Sequence, residues 1–365
     1  MDAIKKPRKR LLAIDVLRGI TIAGMVLVNN AGACGFCYAP LHHAKWDGFN
    51  PADLVFPMFM FVMGISIYLS LSRHEFNFKV SIGRVVRRTF LIIFAGIALK
   101  WVLNSMESGN WLDFENMRIL GVLQRLGICY GIVAVMALLV QHKRFPVIIG
   151  ALLVFYLTLQ LIGNGFEKCA DNIMAIVDNA VLGANHMYLH GKQFVDPEGI
   201  MSTIPAVTQV MIGFLCGREL MRREDNKDKM LHFLLVGAAL LFAGFLLSYV
   251  TPLNKRLWSP SFVLVTCGIS YMVLALLIEI IDEKKYTKWA QPFKIIGVNP
   301  LIIYIVSEIA GDGLRDLGVP DWTFANVLQP IFGDYMGSCI YAVIFVGLMW
   351  LMGYVLYRKN ILIKL

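Results

Sequence analysis

Two segments of the chain combine histidine and carboxylate side chains, with Trp46 in the first, in a way suited to proton transfer and sugar binding. The candidate residues are His42, His43, Asp47 and Asp53 around the first segment, 34–51, and His186, His190, Asp196 and Glu198 in the second, 164–199. A histidine ring titrates near neutral pH and can take up a proton. No His or Cys set has zinc-site spacing, so metal binding is disfavoured.

Ionisable residues inside apolar stretches form the second group of functional candidates, because each is costly in a membrane unless it is paired or faces a cavity. Asp15 and Arg18 are spaced i, i+3 and can pair locally. Gln124 and Arg125 lie in an apolar stretch, and Arg125 has no carboxylate three or four residues away. It therefore needs a partner on another helix or an anionic ligand, and we favour the ligand.

The composition of the chain is that of a polytopic membrane protein. The 365 residues are 58% hydrophobic and 16% charged, with a mean hydropathy of +0.65, which excludes a disordered or disulfide-stapled chain. Apolar stretches near 20 residues, the length that crosses a hydrocarbon core, lie at 11–33, 53–72, 89–104, 118–140, 146–163, 201–217, 232–250, 259–281, 295–310 and 335–357. We therefore expect an all-α bundle of about ten transmembrane helices that forms one domain over residues 1–365.

The connections between these stretches differ in charge. With both termini placed in the cytoplasm, the inward segments carry 24 Lys and Arg residues and the outward ones carry 6. The positive-inside rule then predicts that both termini are cytoplasmic. The segments rich in His, Trp and carboxylates consequently face the opposite side of the membrane.

The chain resembles the heparan-alpha-glucosaminide N-acetyltransferase family of transmembrane acetyltransferases over nearly its whole length. The matching motifs are RLLAIDVLRG (10–19), VLVNN (26–30), HAKWDG (43–48), ADLVFP (52–57), GVLQRLG (121–127), DPEGI (196–200), NKRLWS (254–259), GVNP (297–300) and YRK (357–359). The resemblance implies a bacterial relative without the lumenal N-terminal domain, an integral protein of the inner membrane.

The resemblance also implies a reaction, in which cytoplasmic acetyl-CoA acetylates the amine of a terminal glucosamine on the far side of the membrane. The family's catalytic histidine falls on His43 and its asparagine on Asn29. His43 is suited to act as the general base, although a nucleophilic role through an acetyl-imidazole remains open. The Asn29 amide can stabilise the oxyanion of the tetrahedral intermediate. Lys45 and Asp47 replace a serine and an asparagine, which can alter acceptor choice.

The substrates imply two further sets of residues. CoA phosphates need cations near the inner face, and the predicted cofactor-binding set is Arg18, Arg84, Arg87, Arg88, Gln124, Arg125, Trp258 and Asn299. The predicted sugar-binding set is Asp47, Asp53, His186, His190, Asp196 and Glu198. We expect a path through the bundle with Arg125 on the inner side of His43. We expect no nucleic-acid partner, and the sequence is compatible with a homo-oligomer.

Two other functions fit the same features. Ten helices with central charges also suit a transporter of amino sugars or N-acetylglucosamine, although no pair of matching halves is visible. An O-acetyltransferase of a surface glycan would keep the mechanism and change the acceptor.

Overall fold

A computed structural model of the chain describes residues 11–33, 35–188 and 195–363. In these ranges the chain forms helices and connecting turns, without strands. The α-helices are α1 (Leu12–Asn29), α2 (Val55–Leu71), α3 (Phe78–Ser108), α4 (Val122–Leu139), α5 (Phe145–Ile162), α6 (Ile173–Leu182), α7 (Ile200–Arg222), α8 (Asn226–Leu247), α9 (Pro260–Leu277), α10 (Gln291–Val298), α11 (Pro300–Asp316), α12 (Val319–Thr323), α13 (Gln329–Phe332) and α14 (Asp334–Arg358).

The number of membrane spans agrees with the sequence. Within the described ranges, nine helical segments are long and apolar enough to cross a membrane, and α10 with α11 gives a tenth as a bent pair. The all-α fold with about ten spans is therefore confirmed. Two of the connections between the apolar stretches contain short helices, since α6 lies within 164–200 and α12 and α13 lie within 311–334.

Helix α3 is longer than predicted. The apolar stretch 89–104 predicted a short span, whereas the helix covers Phe78–Ser108 and includes Arg84, Arg87 and Arg88, which precede that stretch. The Asn77 side chain caps it by accepting a hydrogen bond from Val80 N (3.3 Å). Arginine and lysine are good helix formers, so hydropathy locates the membrane-crossing part of a helix and not its ends. At 1.5 Å per residue the helix is about 46 Å long and extends beyond the hydrocarbon core.

Glycines allow the central helices to approach each other closely. A Cβ atom on Gly64 of α2 would lie 2.1 Å from Val210 O of α7, and one on Gly213 would lie 2.0 Å from Phe61 O. In α1, a Cβ on Gly19 would lie 1.7 Å from Phe293 O of α10. Small residues at such contacts bring two helix backbones together, as in other membrane proteins.

The ninth predicted span is broken at Asn299. Helices α10 and α11 meet there at 87°, and Pro300 at the start of α11 has no N–H to continue the hydrogen bonding of α10. The Asn299 side chain is tied to the end of the chain, because Nδ2 donates to Ile361 O (2.8 Å) and Oδ1 accepts from Ile363 N (2.9 Å). The short apolar stretch at 295–310 reflects this bend.

The segments that precede α2, α4, α7 and α9 meet at one end of the bundle, which we call the loop end. Gly48 N donates to Leu253 O (2.8 Å), and Ile119 N donates to His186 O (3.1 Å). Trp46 Nε1 donates to Phe166 O (3.0 Å). These bonds connect parts of the chain that are far apart in sequence, so the loop end is where side chains from four connections can form one site.

Candidate functional site

The His43 side chain is held at the loop end by a buried carboxylate. Its Nδ1 lies 2.8 Å from Asp53 Oδ1, and the side chains are 44% and 0% exposed, respectively. The other Asp53 oxygen, Oδ2, accepts from Ala44 N and Asn50 N, both at 3.1 Å. Asn50 and Asp53 form a capping box at the short helix Pro51–Leu54, which fixes the carboxylate. Because a carboxylate only accepts, His43 Nδ1 carries the proton and Nε2 offers a lone pair.

Lys255 completes this cluster from the segment before α9. Its Nζ lies 3.1 Å from His43 Nδ1, 3.3 Å from His43 Nε2 and 3.6 Å from Asp53 Oδ1. Burial lowers the pKa of the Lys255 ammonium below its ordinary value, although the Asp53 and Glu198 carboxylates act in the opposite direction. His43, Asp53 and Lys255 are called the histidine cluster below.

A second cluster, the arginine cluster, joins the segments before α4 and α7. Arg118 lies 2.5 Å from both Asp196 Oδ1 and Glu198 Oε2, and its guanidinium lies 4.8 Å from the centre of the Tyr188 ring. Although burial opposes charge, the two carboxylates raise the pKa of Arg118. Burial likewise opposes ionisation of Glu198, but Arg118 and Arg125 hold its pKa below the ordinary value. Arg118 and Glu198 therefore remain charged.

Arg125 lies at the loop end, in the first turn of α4. Its Nη2 donates to Gly199 O (3.0 Å) and to Ser202 Oγ, and its guanidinium lies 5.2 Å from the centre of the Trp258 ring. Trp258 is three residues from Lys255, so Arg125 and the histidine cluster lie at the same end of the bundle, and the position of Arg125 on the inner side of His43 stays a prediction. Arg125 Nε and Nη1 are buried without a hydrogen-bond partner among the described residues.

Asp178 of α6 supports the start of α7 beside Arg125. Its Oδ1 accepts from Ile200 N (2.8 Å), and a Cβ on Gly199 would lie 1.8 Å from its Oδ2. Burial raises the pKa of this carboxyl from 3.8 to about 6. Asp178 therefore supports the backbone at Gly199. A shift of that backbone would move Gly199 O and the Arg125 guanidinium that donates to it.

The pKa of Asp178 predicts a pH dependence of stability. The folded chain keeps this proton up to about pH 6, whereas the unfolded chain loses it near pH 3.8. The free energy of unfolding therefore falls as pH rises from about 4 to 6. Asp178→Asn should remove this decline, as measured by unfolding in detergent across that range, with exposed Asp171→Asn as the control. Parallel curves for wild type and Asp178→Asn would contradict the assignment.

Asn29 ends α1 and is bound to α11. Its Nδ2 donates to Glu308 Oε1 (2.9 Å), which fixes the orientation of the amide because a carboxylate only accepts. The Asn29–Glu308 bond connects the end of α1 with α11.

The remaining predicted cofactor-binding residues are distributed along the helices. Arg18 interacts with Asp15 (3.5 Å), Gly297 O (3.3 Å) and Ser66 Oγ (2.9 Å), which confirms the local Asp15–Arg18 pair. Arg84 contacts His74 Nε2 at 2.5 Å, and Arg88 lies 4.8 Å from the centre of the Tyr130 ring. Arg87 is exposed on the same part of α3. Gln124 Nε2 donates to Ile119 O (2.9 Å) at the loop end.

The predicted sugar-binding residues are only partly brought together. Asp53, Asp196 and Glu198 enter the two clusters. Asp47 accepts from Asn254 Nδ2 (3.2 Å), and His186 Nδ1 contacts Met117 O (2.8 Å). His190 lies outside the described residues. Arg118 and Lys255 were not predicted as site residues from the sequence. The carboxylates of the DPEGI motif and the Lys255 position in the NKRLWS motif were the available signals for them.

The fold and the site thus define a class of protein: a polytopic helical bundle with a charged, partly buried site at one end. Residues 10–251 match the family model described as "Heparan-alpha-glucosaminide N-acetyltransferase, catalytic", and the chain belongs to this family. Heparan-alpha-glucosaminide N-acetyltransferase of Homo sapiens is 29% identical and that of Mus musculus 28%, each over 98% of this chain. The chain spans about 60% of the length of these two relatives.

Proposed function

We propose that this chain transfers the acetyl group of acetyl-CoA to the amine of a terminal glucosamine, in a heparan-type fragment or another amino sugar. The observation that carries the proposal is the His43–Asp53 pair, which holds a ring 44% exposed with Nε2 facing away from the carboxylate and 3.3 Å from Lys255 Nζ. Membership of the family supports an N-acetyltransferase, and the names of the relatives supply the acceptor class.

His43 acts as the general base in this proposal. A glucosamine ammonium must lose a proton before its nitrogen attacks the thioester carbonyl, and His43 Nε2 is the ring atom whose lone pair can accept it once the amine takes the place of Lys255 Nζ. Asp53 keeps the proton on Nδ1 and stabilises the imidazolium that forms. The Asp53 carboxylate is itself held by two backbone N–H groups, so the ring is oriented before substrate binds.

Asn29 is the proposed oxyanion donor. Its Nδ2 carries two hydrogens, and Glu308 occupies one of them. The second remains for the oxyanion of the tetrahedral intermediate. Glu308 acts as a positioning residue that presents Asn29 in one orientation, which is the preorganisation that such stabilisation requires.

The cytoplasmic part of α3 is proposed to meet the phosphates of acetyl-CoA. Arg84, Arg87 and Arg88 lie within about one turn and a half of helix, and Arg88 Nε is buried without a hydrogen-bond partner among the described residues. An unsatisfied guanidinium N–H in a cationic group fits a phosphate oxygen. With both termini cytoplasmic, as the distribution of Lys and Arg favours, the loop end would face the opposite side of a bacterial inner membrane.

CoA release by the purified protein in detergent tests this proposal. With acetyl-CoA supplied, we expect release that depends on added glucosamine and yields N-acetylglucosamine. If folded protein releases no CoA with any amino sugar tried, the proposal is contradicted. CoA release with glucosamine that yields an O-acetylated sugar would favour an O-acetyltransferase.

A transporter of amino sugars is the second candidate, and the 87° break between α10 and α11 favours it, because broken helices are common at transporter binding sites. Uptake of labelled glucosamine into proteoliposomes separates the two functions. Uptake without acetylation, retained after His43→Ala, would establish the transporter and exclude the transferase.

A further inference from the structure

The amine closest to the proposed base belongs to the protein itself. Lys255 Nζ lies 3.3 Å from His43 Nε2, the atom that must accept a proton from the acceptor amine. A group that exchanges a proton with a base needs a heavy-atom separation near 3 Å. Lys255 therefore occupies the position that the sugar amine would take during the reaction.

We propose that Lys255 is an internal acetyl acceptor, whose Nζ is acetylated when acetyl-CoA is present and no sugar amine occupies the site. This inference rests on the proposed function, since it uses the same donor and the same base. It adds a modification site at an amine held in the histidine cluster, on a side chain that is 20% exposed, and not at a fully exposed lysine.

The surroundings of Lys255 allow it to become a nucleophile. Burial favours the neutral amine, whereas the Asp53 and Glu198 carboxylates favour the ammonium. The Asp53 oxygens are already engaged by His43 Nδ1, Ala44 N and Asn50 N, and the nearest of them is 3.6 Å from Nζ. The ammonium is thus held by charge without a short hydrogen bond to Asp53, and His43 is within reach to remove its proton.

The chemical step balances without any further reactant. The Lys255 ammonium gives a proton to His43 Nε2, and the nitrogen lone pair forms a bond to the thioester carbonyl carbon. The C–S bond breaks with its electrons on sulfur, and His43 returns the proton to give the CoA thiol. The second proton of the attacking nitrogen passes to solvent, which leaves a neutral Nζ-acetyl-lysine.

Acetylation would inactivate the site. The neutral amide no longer provides the positive charge beside Asp53 and Glu198, and its acetyl group occupies space next to His43. A protein supplied with the donor but not the acceptor would therefore lose activity progressively, and the acceptor would protect it by occupying the same position.

Peptide mass spectrometry on the full-length protein in detergent tests the inference. After incubation with isotopically labelled acetyl-CoA and no sugar, we expect label on Lys255, suppressed by excess glucosamine and reduced about 100-fold in His43→Ala. Lys45 is the matched control, because it lies two residues from His43 and is exposed. The inference would be overturned if the amount of labelled acetyl followed the exposure of each lysine. Lys45 would then be labelled at least as much as Lys255, and His43→Ala would have no effect.

Activity after preincubation gives an independent measurement. Wild type should lose glucosamine acetylation with time in acetyl-CoA alone, whereas Lys255→Arg, which keeps the charge, should retain its own starting activity. If glucosamine is acetylated while Lys255 remains unlabelled, this inference fails and the proposed function stands. If neither glucosamine nor Lys255 is acetylated, both fail.

Discussion

Acetylation of glucosamine falls by about 10²–10⁴-fold in kcat when His43 is replaced by glutamine, because the reaction loses its general base. The neighbouring His42 provides a matched control. It is exposed, and its backbone makes the hydrogen bonds: His42 N donates to Ala39 O, and His42 O accepts from Asn50 Nδ2. His42→Gln should therefore retain activity. Equal activity of the two variants, measured as CoA release at saturating acetyl-CoA, would remove His43 from the chemistry.

Asp53→Asn extends the same prediction to the tautomer of His43. Ala44 N and Asn50 N both donate to Asp53 Oδ2, so the oxygen of an asparagine amide would take that place and its NH2 would face His43. His43 Nδ1 would then accept, and its proton would lie on Nε2, where it blocks the lone pair needed by the base. We expect a loss of the same order as for His43→Gln without loss of folding, and a changed pH profile.

The largest expected effect on stability comes from Arg118. Arg118→Leu leaves Asp196 and Glu198 buried without their cation, and breaking a buried pair on one side costs about 3–5 kcal/mol. Arg315→Leu is the control, because Arg315 and Asp312 form a pair in which the side chains are 53% and 37% exposed. Such a surface pair contributes about 0–1 kcal/mol.

Unfolding in mixed detergent micelles measures both variants under one condition. We expect Arg118→Leu to unfold at a much lower denaturant concentration than wild type, with Arg315→Leu close to wild type. Similar stability of Arg118→Leu and Arg315→Leu would mean that the arginine cluster is hydrated and does not hold the segments before α4 and α7 together.

The membrane spans follow from the sequence because apolar length is a local property. The Asp15–Arg18 pair is local as well, with a spacing of three residues. The extra turns of α3 were missed because charged residues end an apolar stretch without ending a helix. The bend at Asn299 needed the contacts with Ile361 and Ile363, which hydropathy does not report.

The candidate site was only partly accessible to sequence reasoning for the same physical reason. The resemblance led to His43, whereas its contact with Lys255 joins residues 212 positions apart. Arg125 was predicted to be a buried cation. Its position in the bundle is known only from its contacts with Gly199 and Trp258, which are distant in sequence. The sequence therefore indicated which residue types belong to the site. Their partners depend on how the connections between distant helices pack against one another.

The unequal burial of the helices sets how freely each can change during evolution. In the apolar part of α8, 17% of the residues are buried, whereas the share is 72% in α7 and in the segment Pro260–Glu283 that contains α9. A lipid-facing position asks only for an apolar side chain, so Leu, Ile, Val and Phe can replace one another there. We therefore expect the sequences of relatives to diverge fastest on the outer surface of α8, while the glycines that bring α2 and α7 together drift slowly.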